Sequence, residues 1–287
     1  MEQNLKKILK YFSLFAYYPT LEEIHTFLPV KIHKDELKRE LEHLKYTPPQ
    51  YSIRRKISKI KLNDWRFRAY IKLISTFPQI KLVGLSGSIS MMNASENDDI
   101  DLFVITAKNR LFTGRFTSLL LAQLIGIRRN RLTYSRRPSQ IGNKNKICLN
   151  LFFDESDLKV PKFKQTEFVG HEALQMKPII VKDNVYKKFL EANRWVFKLF
   201  PNARENLEFR VQNSELKNRI INSKLIILNF GWIIESIVKK IQLLSINRHK
   251  TSEIITSTQL WFHPVDFGKK INKQRQLKIV KNGYKLL

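Results

Sequence analysis

The sequence predicts an α+β protein: a small mixed β-sheet flanked by helices, with a helical module before it and a helical region after it. Three observations carry that expectation. Short apolar runs at 80–85, 99–106 and 146–153 have the length of strands and lie beside Gly, Ser, Asn or Asp. Helical periodicity fills most of residues 4–44 and 111–127. Beyond Pro201 the pattern is helical again. The implied divisions are a winged-helix-like helical module at 1–53, a connecting helix at 54–78, the sheet-bearing core at 79–160, and a helical C-terminal region with a basic tail at 161–287.

Each element has a local cause. Residues 4–16 form a short apolar-periodic helix. Thr20-Leu21-Glu22-Glu23 is a capping box, in which the threonine hydroxyl and the glutamate three residues on satisfy each other's exposed amides. It opens a helix carrying Leu21, Ile24 and Leu28, which Pro29 stops. Asp35 to Leu44 is a third helix, with Leu37, Leu41 and Leu44 on one stripe. YTPPQYSI at 46–53 then reads as a turn and an extended segment. Three short helices before a strand-like piece fit a helix-turn-helix or winged-helix module, and equally a plain helical cap on the next domain. Residues 54–76 are basic and amphipathic and predict one connecting helix, ended by Pro78.

A buried strand at 80–85, a Gly-Ser turn with a brief helix near 88–93, and a strand at 99–106 follow. Next come an apolar helix at 111–127, with Arg110 and Arg115 in its first turns, and a strand at 146–153. Helical segments are expected near 167–176, 184–200 and 215–246, and HPVDFG at 263–268 interrupts the pattern before the tail.

Composition narrows the classes. A hydrophobic content of 43% over 287 residues supports a real core. One cysteine, Cys148, excludes an intrachain disulfide framework and a Cys-rich zinc site, and the six histidines never fall at metal-ligand spacing. The formal charge of +27 would attract nucleic acid, nucleotide phosphates or anionic membrane. A general Lys, Asn and Ile bias would instead spread charge everywhere. Local clusters stand out: Arg54-Arg55-Lys56, Arg128-Arg129 with Arg131, Arg136-Arg137, and the tail from Lys269. The N-terminus lacks the apolar core of a signal peptide. The longest apolar stretch, Leu225 to Ile237, has 13 residues, and a span needs roughly 20. No membrane span is expected, and the cytoplasm is the expected location.

The most informative segment is 84–105, GLSGSISMMNASENDDIDLFVI. From Leu82 to Ala107 there are four acids and no Lys or Arg, where 52 basic residues in 287 would place about five. Asp99 and Asp101 share one face of a strand, with Cα atoms about 6–7 Å apart, while Ile100 points into the core. Two carboxylates so held repel unless a cation lies between them, and Mg²⁺ favours carboxylates, waters and phosphates as ligands. Two such ions about 3.5–4 Å apart can activate a hydroxyl and stabilise a leaving pyrophosphate. Gly87 lets backbone approach a phosphate closely, and Ser88 adds a hydroxyl at a helix start. A triphosphate tail on Gly87 and Ser88 would put its reacting phosphorus at Asp99 and Asp101.

The order strand, Gly-Ser, helix, loop, Asp-x-Asp, strand resembles the polymerase-β-like nucleotidyltransferase superfamily. Its signature is an apolar strand, Gly-Ser, about ten residues, then Ser-Asp-Ile-Asp-Leu. The chain offers Gly87-Ser88 and Asp98-Asp99-Ile100-Asp101-Leu102, with Asp98 in place of the Ser and Met92 where a glycine is common. The resemblance extends to an uncharacterised bacterial group with a winged-helix-like segment before the transferase core. PTLEEI (19–24), KICLN (146–150), HEALQMKP (171–178) and FLEANRWV (189–196) carry it across most of residues 1–205. It implies a Mg²⁺-dependent enzyme moving a nucleoside monophosphate from a nucleoside triphosphate to an acceptor hydroxyl. Asp99 and Asp101 would hold the metals, two ions in such a family, and Gly87 and Ser88 the phosphates.

The superfamily often has a third carboxylate on a later strand. Here Asn150 lies at the middle of that strand and Asp154 at its end, on one face by alternation. Asn can ligate a metal but cannot accept a proton, so with Asn150 in the third position catalysis is weakened, or Asp154 or Glu155 takes the role. Arg110 and Arg115 are candidates for holding triphosphate, and His171 and Glu172 for facing the site. The alternative reading is a nucleic-acid-binding regulator with a degenerate, nucleotide-sensing transferase fold. A third reading is an interaction protein whose apolar helix at 225–237 docks a partner.

Overall fold

The computed structural model describes residues 1–48, 52–129, 144–206, 231–248 and 253–262. Alternating apolar residues build its centre. Strand β1 (Ile80–Leu85) pairs antiparallel with β2 (Ile100–Thr106), Val83 opposite Val104 and Leu85 opposite Leu102. Between them lies α6 (Gly87–Ser90), a single turn. Helix α7 (Leu111–Leu124) carries the chain across to β3 (Ile147–Asp154), which pairs parallel with β2. A parallel pair needs such a crossover, whereas an antiparallel pair needs only a turn.

The sheet is wider than the 79–160 segment. Strand β4 (Lys177–Val181) pairs antiparallel with β1, and the short β5 (Ile254–Ile255) and β6 (Gln259–Trp261) add beyond β3. The order is β4-β1-β2-β3-β6-β5, a mixed sheet in an α+β fold. The region after residue 160, expected to be helical, therefore supplies both sheet edges. Each of these strands has at most five residues, too short to show a period.

Two cores follow from the pleat, because successive side chains face opposite sides. Leu82, Phe103, Ile105 and Phe153 face a layer made by α1 (Glu2–Ser13), α2 (Leu21–Phe27), α3 (Lys34–His43), α8 (Glu167–Gln175), α9 (Val185–Ala192) and α10 (Trp195–Leu199). Val83, Leu102, Val104 and Phe152 face α5 (Trp65–Ser75), α7 and α11 (Gly231–Asn247). Helix α4 (Ile53–Asn63) packs beside α5.

Local caps set the boundaries. Thr20 forms the expected capping box with Glu23. The 54–76 helix is two helices, because Asp64 leaves helical geometry and its carboxylate accepts the Arg66 amide at 2.8 Å. The 184–200 helix also divides. Asn193 leaves helical geometry there, and its buried side chain accepts the Val160 amide and donates to the Leu158 and Phe189 carbonyls. Residues 46–48 and 52 contain no strand, and 49–51 lie outside the described residues. The first three helices share the core of α8 and α10 and so cap the sheet-bearing unit. Among the described residues no helix is long and apolar enough to cross a membrane. The clusters at 131–137, the segment 225–230 and the tail from 263 lie outside the described residues.

Candidate functional site

The site forms where β1 ends and β2 begins. The Ser86 amide donates to the Asp101 carbonyl at 3.0 Å, which clamps the Gly-Ser turn against the Asp-x-Asp segment. Gly87 has φ +60°, a conformation that only glycine adopts without strain. A Cβ there would come within 2.7 Å of Asp101 Oδ2. Glycine is thus required twice, for its backbone angle and for the carboxylate against it.

The loop before β2 is held from several sides. Asp98 accepts the Ser95 amide at 2.8 Å, the Ser95 hydroxyl at 2.7 Å and the Ser88 hydroxyl at 3.1 Å. Burial pushes the Asp98 carboxyl up, but the Ser95 and Ser88 hydrogen bonds outweigh it and hold it below the usual range. Asp98, at the position where the signature has Ser, is therefore the brace of the turn. Lys61 of α4 is buried, and its ammonium donates to the Glu96 carbonyl (2.8 Å), the Asp98 carbonyl (2.7 Å) and the Asn145 side chain (3.0 Å). One cation from a distant helix thus fixes both ends of the sheet's central entry.

Asp99 and Asp101 share a face, as the pleat requires, and the third group beside them is Cys148. Ligand atoms of all three lie within 4.8 Å of one another. Cys148 comes there through register: it is the β3 partner of Asp101. Asp154, one of the two sequence candidates for that position, lies elsewhere. Leu102 pairs with Leu149 and Phe103 with Leu151, so Asn150 is the extra residue of a β-bulge, its carbonyl accepting the Phe262 amide at 2.8 Å. The bulge inverts the parity of the strand. Asp154 pairs with Thr106, five residues and about 16 Å along β2 from Asp101. Its buried carboxylate accepts the Ser156 amide and hydroxyl at 2.9 and 2.6 Å, and so closes a turn. Glu155 accepts the Lys108 amide at the same distant end.

Two more residues complete the site: Arg129, noted in the sequence only as part of a basic cluster, and Glu172, one of the two residues considered for facing the site. Arg129 pairs with Asp99 at 2.5 Å and donates to the Cys148 sulfur at 3.0 Å. Glu172 of α8 accepts the Gly87 amide through Oε2 at 3.3 Å. It brings a third carboxylate, from a helix and not from a later strand. Desolvation, then the charges of Asp99 and Glu172, push the Asp101 carboxyl well above the usual range. Burial raises Glu172, against the opposing Gly87 hydrogen bond. Burial and then the neighbouring Asp101 and Asp99 charges push the Cys148 thiol well up. It is a neutral thiol beside a carboxylate, not a thiolate.

The remaining candidates sit elsewhere. His171 is fully buried, stacked on Tyr11 and Phe27 with centroids 4.0 and 4.2 Å apart, and belongs to the core. Arg115 is buried on the opposite sheet face against Phe262 and Gln242. Arg110 precedes α7 near the Asp154 turn. Trp195 is partly buried in the helical layer and bonded to Asn193.

The donor set suits a hard divalent cation. Two carboxylates lie side by side with the Cys148 thiol, and carboxylate oxygens are the ligands such an ion prefers. Comparisons with protein-family models, curated proteins and solved structures return no match for this chain.

Proposed function

We propose that the chain is a Mg²⁺-dependent nucleotidyltransferase that transfers a nucleoside monophosphate from a nucleoside triphosphate to an acceptor hydroxyl. The observation that carries this reading is the contact between the two motifs. The Gly87 turn and the Asp101 carboxylate are close enough that a single methyl group would not fit between them. A phosphate-binding turn and a metal-binding pair are then one site.

In this reading Asp99 and Asp101 hold the divalent ion, which when bound supplies charge neutralisation to the phosphate oxygens. Gly87 permits close approach of the phosphates, and Ser88 stands at the same turn. The Cys148 thiol hydrogen-bonds Asp101 and orients it. Arg129 pairs with Asp99 in the metal-free protein, and its guanidinium would turn to phosphate when a metal takes that place. The acceptor oxygen attacks the α-phosphorus, the bond to the β-phosphate oxygen breaks, and pyrophosphate leaves. Glu172, as the carboxylate that accepts the Gly87 amide and is made more basic by burial, takes the hydroxyl proton.

Wild-type protein with the four α-labelled nucleoside triphosphates, Mg²⁺ and pools of small-molecule, protein and RNA acceptors should release pyrophosphate. Asp99→Asn with Asp101→Asn should abolish that release. Nucleotide binding without turnover in any pool would instead identify a nucleotide sensor. Nucleic-acid binding that survives the double substitution and falls steeply with salt would favour the regulator reading.

A further inference from the structure

Helices α4, α5, α7 and α11 lie in sequence across the sheet face opposite the Asp pair, each packed on the next. Their composition is one-sided. Together they carry eleven Lys or Arg and one acid, Glu235. That acid is already engaged: its carboxylate accepts the Phe112 and Thr113 amides at 2.7 and 2.9 Å. Lys61 and Arg115 are buried, whereas Arg55, Lys56, Lys59, Arg68, Lys72 and Lys240 are exposed. Among these cations stand large apolar side chains left in water. Trp65 is 72% exposed, Leu124 73%, Ile241 62% and Leu244 66%, and Phe116 and Ile237 are about half exposed. On α11 the outward residues 234, 237, 241 and 244 follow the spacing of one continuous apolar stripe.

We propose that this helical layer docks on an anionic lipid bilayer. Surface-bound helices place aliphatic and Trp side chains at the headgroup boundary with Lys and Arg around them. Each basic residue near an anionic leaflet adds attraction. The layer has both ingredients and no free carboxylate to oppose them. Among the described residues no helix is long and apolar enough to cross a bilayer, and the docking proposed for this layer is at the surface. A cavity of about 650 Å³ lies between α5 and the β4 edge of the sheet. Its walls include Phe67, Ile71, Leu85 and Ile180, and Arg68 and Lys72 line it as well. Apolar walls with cations beside them match the acyl and phosphate parts of a lipid.

The other partners fit less of the surface. A nucleic acid would pair the cations but leave the aliphatics in water. A second copy would cover the aliphatics but oppose two cationic faces of a chain with formal charge +27.

The test is flotation of the full chain with vesicles of phosphatidylcholine alone, or containing about one-third phosphatidylglycerol. Recovery with anionic vesicles should exceed recovery with neutral ones at least tenfold and should fall with salt. Leu124→Ser with Ile241→Ser should lower the partition coefficient at least tenfold while leaving the melting temperature unchanged. Asp99→Asn with Asp101→Asn should float like wild type, which separates this surface from the catalytic reading. Absence of flotation overturns the proposal. So does a wild-type dimer by light scattering that the Leu124 and Ile241 substitutions disperse, or duplex binding that is insensitive to them.

Discussion

Replacing Gly87 by alanine probes the contact on which the site depends. The new Cβ would lie 2.7 Å from Asp101 Oδ2, where ordinary contact begins near 3.4 Å, so turn and carboxylate must separate by about 0.7 Å. The left-handed backbone at φ +60° costs a non-glycine residue roughly 1–2 kcal/mol. In a chain of this size that corresponds to roughly 2–8 °C in melting temperature. Gly126 is the internal control: its φ is +75°, and a Cβ there meets nothing within 4 Å. Gly126→Ala should show a similar thermal loss and no loss of metal. Gly87→Ala should show the thermal loss and a further fall in Mn²⁺ affinity on the order of tenfold to a hundredfold, by the sensitivity that makes a misplacement of about 1 Å cost about a hundredfold. Paired melting curves and Mn²⁺ titrations by electron paramagnetic resonance read both effects. Equal Mn²⁺ affinities for the two alanine variants would refute the claim that Gly87 and Asp101 share a site.

Two further outcomes follow from the surrounding charges. Lys61→Met leaves three oxygens without the ammonium that joins them. It should destabilise the fold by about 2–4 kcal/mol in denaturant titration and raise hydrogen exchange at 96–100, whereas Lys59→Met, an exposed neighbour on α4, should change neither. Asp101 and Glu172 have raised pKa values, so the folded chain binds protons that the unfolded chain releases. Their contribution to metal-free stability is full below about pH 4, the unfolded carboxyl value, and is lost as pH rises through the raised values. Melting scans from acid to neutral pH should show wild type losing stability relative to Asp101→Asn. Added Mg²⁺ should reverse that loss, and a constant difference across the scan would refute the charge assignment.

The local parts of this fold were legible because their signals are local. The capping box at Thr20, the β1 and β2 runs and the Asp-x-Asp alternation depend on neighbours in sequence. Asp99, Asp101 and Gly87 lie together, and the Ser88 hydroxyl donates to Asp98 of the same loop. The third member was hidden by the bulge at Asn150, which inverts strand parity and sends Asp154 to another turn. No residue pattern in KICLNLFF marks that bulge. A single cysteine excludes disulfides and Cys-rich zinc sites, but only the register of β3 against β2 puts Cys148 beside Asp101. Glu172 reaches Gly87 only through the packing of α8, a long-range relation that spacing does not encode. The helix breaks at Asp64 and Asn193 arise from side chains competing with the backbone for hydrogen bonds, and both residue types could have warned of them.

The central claim is that Asp99 and Asp101 hold a divalent ion against a nucleotide on the Gly87 turn. The most direct measurement is a crystal structure with Mn²⁺ and a non-hydrolysable nucleoside triphosphate, read by anomalous scattering. The expected result is a manganese peak beside both aspartates, phosphate oxygens beside Gly87 and Ser88, and Arg129 displaced from Asp99. A peak elsewhere, with the Arg129–Asp99 pair intact and the nucleotide away from Gly87, would contradict it.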